Sequence, residues 1–209
     1  MKIIKYSFFF FLLILFSCNN EFSKRLDILE IDEKFNNGNL NEAKLDLDKY
    51  LKKEPNNEYA WTILGHIESH LDKDILARKA YRKALKINPN TVEAITGMGI
   101  LARKNGDYEK ASEFYYQAIE INPNYAEAYA SLVVINLKRK NFDEAVRVGL
   151  IGYNLEKEDG TIAANLSTSY HFANDTIQRE KYFNIAKNNG YKNLESLRLI
   201  FDGELIIFD

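Results

Sequence analysis

Residues 88–124 read NPNTVEAITGMGILARKNGDYEKASEFYYQAIEINPN. The stretch opens on Asn88-Pro89-Asn90 and closes on the same tripeptide, Asn122-Pro123-Asn124. Pro55, Pro89 and Pro123 are evenly spaced. Between the last two prolines lie two helical patterns. The first runs from about Val92 to Asn105, where Gly106 suits a left-handed C-cap and Asp107 the N-cap of the next helix. The second, about Tyr108 to Ile121, must stop at Asn122, because the residue before a proline is pushed out of the helical region. Gly38-Asn39 repeats this turn, and Asp72-Lys73-Asp74 takes its place in the unit between. A period of about 34 residues marks a stack of two-helix units, each burying its apolar face on its neighbours.

Aligning the prolines brings other positions into register. Ala43, Ala77, Ala111 and Ala145 form one column; Leu47, Tyr81 and Tyr115 a second; Tyr50, Ala84 and Ala118 a third. Upstream, Trp61 aligns with Ile95 and Tyr129, Leu64 with Met98 and Leu132, and Gly65 with Gly99. The large columns supply knobs. The small ones let two helices approach closely, where a bulky side chain would overpack at about 1–3 kcal/mol.

These columns resemble the tetratricopeptide repeat (TPR). Trp61, Leu64, Gly65, Ala77, Tyr81, Ala84 and Pro89 fall on its signature positions in the second unit, and Met98, Gly99, Ala111, Tyr115, Ala118 and Pro123 in the third. In the fourth, Val133 replaces the small residue, Gly149 the aromatic and Lys157 the proline. The first keeps only its second-helix half, with Glu30 and Ile31 departing; a fifth keeps Leu166, Tyr170, Phe183 and Ala186 but carries Arg179 where alanine is expected. The resemblance implies an all-α fold: a right-handed superhelical solenoid of about four to five TPR helix-turn-helix units over residues 24–193. Residues 194–209 would add a C-terminal capping helix, with Leu194, Leu197 and Phe201 at helical spacing, and an apolar tail, Leu205–Phe208.

The N-terminus reads differently. Lys2 and Lys5 precede an uncharged run from Tyr6 to Phe16, shorter than the about 20 residues that span a bilayer and fitting a secretory signal. Leu15-Phe16-Ser17-Cys18 resembles a bacterial lipobox, which implies a signal peptide of residues 1–17, acylation of Cys18 as the new N-terminus, and a lipidated tether over 18–23. An uncleaved anchor and a plain secretory signal are the alternatives. Several acyl chains on one residue anchor stably, whereas one alone is marginal. The resemblance places the chain in a bacterial cell envelope, facing the periplasm, and Asn19 in place of aspartate points toward the outer membrane. Removing residues 1–17 leaves 26 basic against 30 acidic residues, which gives no reason to expect nucleic-acid binding. Cys18 is the chain's single cysteine, so no intramolecular disulfide can form.

No chemistry assembles in the pattern. His66 and His70 share a helix face, but Ile67 stands where a zinc-protease helix needs glutamate, and no third ligand is near. Gly97-Met98-Gly99 lies inside a helix, and carboxylates such as Glu109 and Glu113 fall on solvated faces. Nucleophile, base and oxyanion donor do not converge. The expectation is a non-enzymatic protein with no cofactor, metal or catalytic residue.

The resemblance leaves the concave groove, lined by the first helix of each unit. The face opposite the packing columns carries Tyr59, Thr62, His66 and Ser69 in the second unit, and Glu93, Thr96, Ile100 and Arg103 in the third. In the fourth it carries Glu127, Ala130, Val134, Leu137 and Lys138. Ile100, Val134 and Leu137 are apolar where water is expected, which suggests a binding surface. The family's lysine–asparagine clamp for a free carboxylate terminus is absent, since Thr62, His66, Thr96 and Ile100 stand in the comparable places. An extended or helical segment of a partner fits better. The resulting expectation is a membrane-anchored TPR scaffold that recruits envelope proteins. Self-association through the apolar tail or an edge of the stack is the alternative, and a hydrolase the remote one.

Overall fold

Five residues, each one repeat after the last, have their backbone in the left-handed region: Gly38 (φ 79°), Asp72 (55°), Gly106 (77°), Lys140 (60°) and Asn174 (61°). Each closes the turn between the two helices of a unit, so the repeat is written in the dihedral angles as well as in the sequence. Glycine takes this conformation at no steric cost, whereas Lys140 does so against the usual penalty on a side chain with Cβ. The computed structural model describes residues 27–205, and among these all regular structure is helical.

The chain divides into two compact units, one reaching Pro89 and one beginning at Asn90. The first contains α1 (residues 27–36), α2 (Leu40–Lys53), α3 (Glu58–His70) and α4 (Asp74–Ile87). The second contains α5 (Val92–Lys104), α6 (Tyr108–Ile121), α7 (Ala126–Lys138), α8 (Phe142–Leu155), α9 (Gly160–Phe172), α10 (Thr176–Asn188) and α11 (Leu194–Phe201). These are five helix-turn-helix repeats and a terminal helix, the expected TPR architecture.

The helix ends are fixed locally. Before Pro55, Pro89 and Pro123, the residues Glu54, Asn88 and Asn122 leave the helical region and cap α2, α4 and α6. At the N-termini, Asn57 accepts from the Ala60 N–H, Asp107 from Lys110, Asp159 from Thr161 and Ile162, and Asp175 from Gln178. Each such cap is worth about 1 kcal/mol.

In the first compact unit the core runs through Ile28, Ile31, Ala43, Leu47, Ile63 and Ile67, with Trp61 and Leu64 packed against it. The first repeat is therefore more complete than its sequence suggests. A helix stands ahead of α2, and Ile31 is buried where the signature asks for a small residue.

In the second compact unit, the departures in the fourth repeat compensate one another. A Cβ on Gly99 would overlap the Tyr115 ring, so the aromatic lies directly on the glycine. In the fourth repeat Val133 takes the glycine's place, and Gly149, on the next helix, takes the aromatic's. A Cβ on Gly149 would come 3.2 Å from Val133 Cγ2 and 2.9 Å from Leu166 Cδ2. Size has been exchanged between the two helices at constant spacing. In the fifth repeat, Arg179 replaces the alanine because its guanidinium lies 5.1 Å from the centroid of Phe201 on α11 and pairs with Glu180. Helix α11 also buries Leu197 against Ala163, Ala164 and Phe183, so it covers the end of the repeat.

The expected boundaries at residues 17 and 23 and the acylated Cys18 lie outside the described residues. Of the apolar tail only Leu205 is described: it is exposed, and its N–H donates to Leu199 O at 3.0 Å.

Candidate protein-binding surfaces

The residues expected to line a groove fall into both compact units, and each set stands by itself. In the first, Tyr59 is exposed and Ser69 half-buried. Thr62 is only 1% exposed, and its hydroxyl donates back to Glu58 O at 2.8 Å, so it cannot present that group to a ligand. His66 is a packed residue. Its Nδ1 shares a 2.9 Å hydrogen bond with the Tyr81 hydroxyl, and its ring stacks on Phe35 at 6.1 Å. His70 meets the same Phe35 edge-on. Burial, and after it the neighbouring His70, lowers the His66 pKa to about 4, so the imidazole is neutral at pH 7.

In the second compact unit, Glu93, Ile100, Arg103, Ala130, Val134 and Lys138 are half-buried and Glu127 is exposed. Two expected lining residues are instead interior: Thr96 at 1% and Leu137 at 5% exposure. The cause is helix packing. Helix α7 packs on α5 as well as on α6, and α9 on α7 as well as on α8, which narrows the face each first helix leaves open. The apolar patch is thereby reduced to Ile100 and Val134.

A polar feature the sequence reading missed lies on this narrower strip. Thr96 Oγ1, Arg103 Nε and Tyr115 Oη are buried and have no hydrogen-bond partner among the described residues. Burial raises the Tyr115 pKa, and Arg103 and Ser131 beside the hydroxyl act against that shift. Leaving such a buried group unpaired costs about 1–3 kcal/mol. The column alignment carried a signal for it. Tyr81 and Tyr115 occupy the same register, but the acceptor His66 is replaced one repeat on by Ile100, which has no polar side-chain atom. Beside this strip, the Tyr125 hydroxyl donates to Glu127 Oε2 at 2.6 Å.

Among the described residues, no group of three or more His, Cys, Asp or Glu side chains could hold a metal ion, and no helix is long and apolar enough to cross a membrane.

Paired helices joined by a left-handed turn in every repeat, with alanine, aromatic and glycine columns at their contacts, define a tetratricopeptide-repeat protein. The chain belongs to the family of the cytochrome c-type biogenesis protein H TPR domain, whose model matches residues 17–159. No curated protein matches the sequence significantly. Solved structures do resemble it. TTC0263, a thermophilic TPR protein of Thermus thermophilus, superposes with a TM-score of 0.73 at 16% identity, over 87% of this chain and 98% of its own. PilW, a widely conserved type IV pilus biogenesis factor, gives 0.70 at 17% identity, over 87% and 86%. YrrB, a TPR protein with an unusual peptide-binding site, gives 0.54 at 16% identity, over 83% and 90%. At these identities the likeness establishes the fold.

Proposed function

We propose that the protein is a lipid-anchored, non-enzymatic TPR scaffold of the bacterial cell envelope. Cys18 would hold it to the membrane, and the open faces of α5 and α7 would recruit partner proteins. The observation that carries the binding reading is the unpartnered set Thr96 Oγ1, Arg103 Nε and Tyr115 Oη beside Ile100 and Val134. A peptide supplies both missing elements, backbone groups for the polar atoms and side chains for the apolar ones. That PilW is a pilus biogenesis factor and YrrB has a peptide-binding site supports the reading.

The test is crosslinking in intact cells with tagged wild type and with Ile100→Glu/Val134→Glu, the variant first checked to be helical. A protein captured by the wild type and lost from the variant supports the scaffold. Capture of only the chain itself, equal in both, refutes it in favour of self-association. Metabolic labelling with a fatty acid tests the anchor: wild type should incorporate label and Cys18→Ala none, and continued labelling of Cys18→Ala would refute acylation at that residue.

A further inference from the structure

A second surface lies within the first compact unit. Between α3 and α4, on the side of α3 turned away from Tyr59, His66 and Ser69, is an open groove of about 540 Å³. Its apolar floor is Trp61, Leu64, Leu76 and Ala80, and Leu76 is 44% exposed. Lys79, Arg82, Lys83 and Lys86 rim it from α4, where their spacing forms a single stripe. All four are exposed, and among the described residues none takes part in an ion pair or hydrogen bond. Elsewhere in the same unit some lysines are paired: Lys34 meets Asp46 at 2.8 Å and Lys44 meets Glu68 at 3.0 Å. Glu68 also lines the groove. Its Oε1 takes Lys44, while its Oε2 is buried and has no hydrogen-bond partner among the described residues.

The groove thus combines an apolar floor, an unused acceptor and four unused cations, in a chain with more acidic than basic residues. We propose that it docks an acidic amphipathic segment of a partner protein. Apolar side chains of that segment would lie on Trp61, Leu64 and Leu76, its carboxylates would face the α4 cations, and an N–H would reach Glu68 Oε2. A flat anionic bilayer would meet the cations but not the floor, and its phosphates offer Glu68 no donor. This surface is separate from the strip on α5 and α7 and stands or falls without it.

Trp61 is the chain's one tryptophan, so its emission reports on the floor. The full chain as the cell processes it, held in phosphatidylcholine nanodiscs, is titrated with a short synthetic helical peptide carrying leucines on one face and glutamates on its flanks. A counterpart with lysine for glutamate is the control. The acidic peptide should shift Trp61 emission saturably and the basic one should not. Lys79→Glu/Lys83→Glu should weaken the response by about tenfold, and Lys79→Gln/Lys83→Gln by less, at unchanged helicity. Lys52→Glu/Lys53→Glu, the same charge change at exposed positions of α2 outside the groove, should leave it unaltered. The proposal is overturned by no response, by equal responses to both peptides, or by a response only when phosphatidylglycerol replaces phosphatidylcholine. A peptide-independent shift that follows protein concentration also overturns it, because it assigns the groove to a second copy.

Discussion

The second and third repeats place a tyrosine at one register, Tyr81 and Tyr115, each lying on a mid-helix glycine. They differ in what the hydroxyl meets. Tyr81 finds His66 Nδ1 at 2.9 Å, whereas the residue in register beside Tyr115 is Ile100, and the Tyr115 hydroxyl has no hydrogen-bond partner among the described residues. The ring belongs to the fold in both. The hydroxyl is saturated internally in one repeat and stays available in the other. Identical scaffolding therefore carries different chemistry, and a single position on the first helix decides which.

The shared part of this comparison should be the hardest to disturb. A glycine inside a helix is less favourable than alanine by about 1 kcal/mol, so Gly65 and Gly99 are kept for the ring above them. Gly99→Leu should lower the stability of the second compact unit by about 3 kcal/mol in denaturant titration. Gly149→Leu should also destabilise, by overlap with Val133 and Leu166, but Val133→Gly in the same chain should recover part of the loss. A loss no larger than that of an exposed substitution would show that these contacts relax freely.

His66 sharpens the comparison through pH. Its pKa is lowered in the folded state to about 4, so the folded chain keeps it neutral while the unfolded chain takes up a proton below its ordinary value near 6.5. Its contribution is fully present above pH 6.5 and is lost as pH falls from there toward 4. His171, also lowered by burial and then by Arg179, adds to the same trend. His66→Ile gives the second repeat the third repeat's residue and should flatten this slope. Across the window the wild type should lose about 2 kcal/mol more than the variant, read from unfolding curves at pH 7 and pH 4.5. Equal slopes would mean that His66 titrates normally.

The columns made much of this legible, because alanine, glycine and aromatic residues at fixed spacing report helix contacts directly. The expected span of α11, Leu194 to Phe201, is the observed one. Three things were not legible. The left-handed turns at Lys140 and Asn174 carry no glycine, so only the period could have found them. Thr62, Thr96 and Leu137 look like lining residues on a helical wheel, but a wheel shows one helix. Packing of α7 on α5 and of α9 on α7 inverts two of these assignments, and the Thr62 hydroxyl is turned back on its own helix. The Tyr115 hydroxyl is hidden for the opposite reason: the column fixes the ring's place in the fold and says nothing of what its polar atom meets.

The smallest effect tests the difference itself. Tyr81→Phe removes the hydroxyl that bonds His66 and should destabilise by about 1 kcal/mol, since a buried ring nitrogen loses its partner. Tyr115→Phe removes a buried hydroxyl that has none, so the same deletion should be neutral or slightly stabilising. Paired denaturant titrations measure the sign directly. If Tyr115→Phe also weakens capture of the partner lost by Ile100→Glu/Val134→Glu, the hydroxyl left free by the fold is used in binding. If the two phenylalanine variants lose equal stability, Tyr115 has an internal partner, with Arg103 and Ser131 the nearest groups, and the third repeat holds no polar group in reserve.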